Sequence, residues 1–108
     1  MNEKIEQILE VMNSIKYFDS IKLEDKQRMA DRIVKLYWNK FDVIKELFKM
    51  EVWLDLNPRR RKKDYRRFIW NWLNRVATNI EVKKKMKEFE RRYYDKIKVY
   101  TPRKKQQL

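Results

Sequence analysis

The 108-residue chain contains no glycine. Glycine supplies the positive-φ positions of many tight turns, so its absence, with only two prolines, removes most turn chemistry and points to a largely helical chain. Cysteine and histidine are absent too. That excludes disulfides, thiolates, imidazole bases and the usual zinc sites. A glycine-rich loop cradling a nucleotide phosphate is excluded with them. Hydrophobic residues make up 43% and charged residues 42%, enough for the core of one small domain under a heavily charged surface. The longest apolar runs are a few residues, which predicts neither a transmembrane helix nor a signal peptide. A cytoplasmic protein of a bacterial or archaeal host is the expectation.

Charge is divided unevenly along the chain. Residues 1–56 carry 10 Lys/Arg and 11 Asp/Glu, a net of −1, and residues 57–108 carry 19 and 5, a net of +14. The first half is an ordinary balanced surface. The second is a polycation, and so long a basic segment points to a polyanionic partner.

Apolar spacing predicts a small all-α bundle of four to five helices with a flexible basic C-terminal tail. Ile5, Ile8, Leu9, Met12 and Ile15 fall at helical spacing after Asn2, a suitable N-cap. Tyr17, Phe18 and Ile21 anchor a connector. A second helix begins near Leu23 or Glu24, with Met29, Ile33, Leu36 and Tyr37 as its stripe. Asp42 is placed to cap a third, with Val43, Ile44, Leu47, Phe48 and Val52 as buried candidates; whether Phe41 and Asp42 break the chain or continue one long helix is left open. Pro58 disfavours helical backbone at Asn57, so a helix ends there.

The segment DYRRFIWNWLNRVA is the strongest periodic stretch, with Tyr65, Phe68, Ile69, Trp72, Leu73 and Val76 within roughly 80° either side of one face. Thr78-Asn79-Ile80-Glu81 matches a capping box and predicts a separate last helix from Asn79, its contacts supplied by Ile80, Val82, Met86, Phe89, Tyr93 and Ile97. Residues 1–100 read as one helical domain, with a charge-balanced half over 1–56 and a basic half over 57–100. Residues 101–108 read as a disordered tail.

Two tryptophans two residues apart cannot share one helix face. On this wheel Trp72 is core, and Trp70 lies on the far side with Lys63, Arg66, Arg67 and Asn74. Bases stack on an indole and phosphates bind Lys and Arg, so this face suits single-stranded nucleic acid. The competing reading packs Trp70 against the last helix or the N-terminal helices, with the cations a solvated face or an arginine stacked on the indole. The basic connector Arg59, Arg60, Arg61, Lys62 and Lys63 leads into it, and Lys83, Lys84 and Lys87 add charge on the last helix.

Residues 53–75, WLDLNPRRRKKDYRRFIWNWLNR, resemble a segment of bacteriophage and prophage replication accessory proteins, the replisome organisers and helicase-loader-like proteins. Trp53, Asn57, Pro58, Phe68, Asn71, Trp72, Leu73 and Arg75 carry the likeness. It implies binding of DNA, often single-stranded, beside a replication protein such as a helicase. Trp70 is outside the pattern and rests on the wheel alone.

Together these features favour a nucleic-acid-binding accessory protein, with DNA preferred to RNA and single-stranded or forked DNA as the substrate. The alternative is an inhibitor or adaptor docking on an acidic protein surface. Membrane-surface binding is disfavoured, because the apolar residues of the basic half are needed for a core. Enzymatic activity and a cofactor are not expected: the carboxylates of the basic half fit helix ion pairs and caps. The oligomeric state is left open.

Overall fold

The computed structural model describes residues 2–60 and 63–96, with side chains through residue 93. The protein is all-α. Its helices are α1 (Glu3–Ser14), α2 (Leu23–Tyr37), α3 (Val43–Leu56) and α4 (Tyr65–Lys96), with short 3₁₀ turns at Lys16–Phe18 and Pro58–Arg60.

Local chemistry sets most boundaries. Asn2 accepts a hydrogen bond from the Lys4 N–H at 2.7 Å, and Glu3 and Glu6 complement the dipole of the first turn. Asp42 does the same for α3, accepting from the Lys45 N–H at 3.1 Å. That cap resolves residues 41–42 as a break between helices. α3 stops at Leu56, where Asn57 precedes proline as expected.

One boundary differs from the sequence expectation. Thr78-Asn79-Ile80-Glu81 is interior to α4 and starts no new helix. A capping box stabilises a helix start only where the chain has already left the helical region. No glycine or proline lies between residues 65 and 96 to force that exit, and adding residues to an existing helix is easier than nucleating another.

Contacts divide the chain into two units, Met1–Ala77 and Thr78–Leu108, with the division inside α4. In the first unit, α1 packs on both α2 and α3. Ile8 and Met12 of α1, Ile33 of α2, Leu47, Met50 and Leu54 of α3, and Ile69 and Leu73 of α4 are fully buried together. Phe18, from the first 3₁₀ turn, joins them. The Tyr17 hydroxyl donates to Asp55 and ties that turn to α3.

The buried faces are rotated slightly from those expected. In α3 the stripe is Val43, Leu47, Met50 and Leu54, whereas Phe48 and Val52, roughly 140° and 180° round the helix from Val43, are exposed. In α2, Ala30 is buried and Leu36 is exposed. Lys26 of α2 is also buried. It packs its stem inward and donates from Nζ to Asn13 Oδ1 at 2.9 Å.

In the second unit, every described side chain from residue 78 to residue 93 is exposed. Ile80, Val82, Met86, Phe89 and Tyr93, expected to make core contacts, do not. Ile97 and the tail over 101–108 lie outside the described residues, as do Arg61 and Lys62.

Candidate nucleic-acid interface

The site begins with how α4 starts. The Asp64 carboxylate accepts from the backbone N–H groups of Arg66 at 3.1 Å and Arg67 at 3.2 Å. The Arg67 N–H is the main cause holding this carboxyl below its ordinary range; slight desolvation opposes it, and the charge and hydrogen bonds of Arg66 add to it. The anchored first turn fixes which side chains face the end of α3.

Spacing then builds a wall. Arg67, Asn71 and Arg75 recur every four residues and so share one side of α4, and Lys63 lies one such step earlier, just before the helix. Phe68 and Trp72 form the neighbouring row. Together with Trp53 of α3 and Asp64, these residues line an open cleft of about 450 Å³. The aromatic side of the cleft is mutually packed. Ring centroids are 5.8 Å apart for Trp53 and Phe68 and 5.8 Å for Phe68 and Trp72. Trp53 and Trp72 meet edge to face at 6.5 Å.

Two hydrogen bonds hold this wall. Trp72 Nε1 donates to Glu46 Oε1 at 2.9 Å, and Glu46 is only 9% exposed. Its other oxygen lies 3.3 Å from Lys49 Nζ. Asn57 Nδ2 donates to the Trp53 carbonyl at 2.8 Å, closing the last turn of α3. Among the described residues no carboxylate forms an ion pair with Lys63, Arg67 or Arg75. The arrangement therefore offers flat apolar surface, an amide and three cations beside a single carboxylate, Asp64, whose oxygen is taken up by backbone N–H groups.

The opposite side of α4 is different. Trp70 is half-buried and packs against the core, its ring centroid 6.4 Å from that of Tyr37. The Arg32 guanidinium sits 5.8 Å from the Trp70 ring centroid. The Tyr37 hydroxyl donates to Asn74 Oδ1, and burial raises the Tyr37 pKa, an effect that the Arg32 charge partly offsets. Arg66 reaches Asp25 at 3.3 Å and Asp64 at 3.6 Å. A wheel drawn for one helix cannot show that α2 comes round to cover this side. Trp72, expected in the core, is half-buried as well and borders the cleft.

Of the residues expected to bind nucleic acid, Lys63 and Arg67 meet at the cleft. Lys63 and Arg66 also border a second depression, with Ser20, Lys22 and Asp25. Arg59 and Arg60 are exposed in the 3₁₀ turn after Pro58. Lys83, Lys84 and Lys87 are exposed in the second unit. Asn71 and Arg75 were not among the expected binding residues, and neither were Trp53, Phe68 and Trp72. The four-residue recurrence from Lys63 to Arg75 was the signal that would have found the polar row.

Among the described residues there is no group of three or more acidic or metal-ligating side chains placed to hold a metal ion. No described helix is long and apolar enough to cross a membrane. The chain matches no known protein-family model, no characterised protein and no solved structure.

Proposed function

We propose that the protein binds single-stranded or forked nucleic acid, DNA in preference to RNA, at the cleft between the end of α3 and the start of α4. The observation that carries this is the pairing of three cations without an ion pair among the described residues, Lys63, Arg67 and Arg75, with the aromatic wall of Trp53, Phe68 and Trp72. Phosphates are neutralised by the cations with release of counterions. An unpaired base stacks on the exposed parts of the rings, and the Asn71 amide reads or steadies a base edge. Arg67 and Arg75 are about 12 Å apart along the helix axis.

Several features support the proposal. The second half of the chain carries a net charge of +14, so long-range attraction extends well beyond the cleft. All eight lining residues fall within residues 53–75, the segment resembling phage replication accessory proteins, and five of them, Trp53, Phe68, Asn71, Trp72 and Arg75, carry the likeness. A replication role beside a helicase belongs to the same proposal.

Phe68→Leu tests it by removing one ring while keeping an apolar side chain of similar bulk. Stacking contributes about 1–3 kcal/mol per base. The variant is expected to keep its helical circular dichroism and lose roughly 5- to 100-fold in affinity for an unpaired oligonucleotide. Affinity for a blunt duplex should change little. Equal losses on both substrates, or no loss on either, would remove the cleft from the account.

A further inference from the structure

The described second unit has a feature that nucleic-acid binding leaves unused. Val82, Met86, Phe89 and Tyr93 are 52%, 55%, 56% and 48% exposed. Their spacing of four, three and four places them within about 60° of arc on α4. The Phe89 and Tyr93 rings stack with centroids 6.1 Å apart, extending this strip along the helix. A helix that lies on a core or in a lipid interface needs a broader apolar face, whereas so narrow a strip is the seam of a coiled coil.

We propose that residues 79–93 pair with the same segment of a second copy of the chain as a parallel, two-stranded coiled coil. In heptad terms Asn79, Met86 and Tyr93 occupy a positions, and Val82 and Phe89 occupy d positions. A buried asparagine at a single a position satisfies its amide against its own counterpart, which favours two strands in parallel register. The flanks agree. Lys85 falls at g and Glu90 at e, so a parallel pair sets Lys85 of each copy beside Glu90 of the other, twice. An antiparallel pair would instead bring the g-position cations Lys85 and Arg92 against one another. Lys84, Lys87 and Arg91 point outward at b and f positions and stay free for a polyanion.

The described seam covers only about two heptads, so association is weak, with Kd on the order of 100 μM. Sedimentation of the full chain without nucleic acid, from about 10 μM to about 1 mM, spans that range. The apparent mass should rise from 13.8 kDa toward twice that value. Phe89→Asp, at an exposed site that leaves the first unit intact, should hold it at the monomer mass. Glu90→Lys should weaken dimerisation at least about tenfold, and Lys85→Glu combined with Glu90→Lys should restore it.

The chain has no native cysteine, so Val82→Cys provides a direct check of register. Mild oxidation should give a disulfide dimer, because parallel pairing sets equivalent d positions face to face. A monomer at every concentration would overturn the proposal. So would a charge swap that fails to rescue, or a dimer that Val82→Cys does not cross-link. Sedimentation of a monomer with phosphatidylserine vesicles, abolished by Phe89→Asp, would reassign the strip to lipid. None of these outcomes involves nucleic acid, so the dimer and the proposed cleft stand or fall separately.

Discussion

Residues 65–77 and residues 78–93 belong to one helix, and both carry large apolar side chains, arginine and asparagine. Their circumstances differ sharply. The first stretch buries Ile69 and Leu73 completely, while the second buries none of its described side chains. The contrast shows that an apolar residue at helical spacing marks a helix without saying what the helix faces. The first stretch shares one core cluster with residues of the other helices. The described apolar side chains of the second stretch lie outside that cluster and form a narrow strip.

The largest effect expected from this contrast is on stability. Leu73→Ala removes a fully buried side chain and should cost about 2–5 kcal/mol in urea unfolding. Phe89→Ala, although larger, should change the unfolding of the first unit by less than about 0.5 kcal/mol. Comparable losses from the two substitutions would erase the distinction between the stretches.

Next in size is the pair of tryptophans. Trp70→Ala strips an indole from Tyr37 and Arg32 and should destabilise by about 1–3 kcal/mol, with single-strand affinity largely retained once folded protein is compared. An effect on affinity alone would return binding to the α2-facing side of α4.

A smaller effect is expected at Tyr37. Tyr37→Phe leaves Asn74 without its donor and should cost about 1 kcal/mol in thermal unfolding. The sign of its pH dependence follows from the raised pKa. Burial favours the neutral phenol, so this stabilisation is complete below the ordinary phenol value of 10.0 and fades as pH climbs through the higher folded value. The stability difference between wild type and Tyr37→Phe should therefore shrink in strongly alkaline buffer.

The sequence makes the local rules of this fold visible and hides the pairwise ones. Asn2 and Asn57-Pro58 act through neighbouring backbone, and each marks its boundary in the structure as it does in the sequence; Asp42, where the sequence allowed a break or one continuous helix, caps α3. Thr78 through Glu81 carries an equally local signal that goes unused, because nothing forces α4 to break before it. Trp70 shows the other limit. Its angular position on α4 follows from spacing, but its contacts come from Tyr37 and Arg32, more than thirty positions away in the chain. Glu46 is similar: its hydrogen bond to Trp72 spans 26 positions, and no periodicity in α3 announces it. The cleft lies between these extremes. Its polar row is a four-residue recurrence open to inspection, whereas Trp53, which completes the aromatic wall, joins it only through tertiary packing.

The most direct test of the central claim is a salt titration of single-stranded oligonucleotide binding by wild type and by Arg67→Ala combined with Arg75→Ala. If these guanidinium groups neutralise phosphates, log affinity falls linearly with log salt for the wild type. The double variant should then bind more weakly, with a slope shallower by about 1.4, at ~0.7 for each lost contact to a single strand. An unchanged slope in the double variant, or wild-type affinity indifferent to salt, would contradict it.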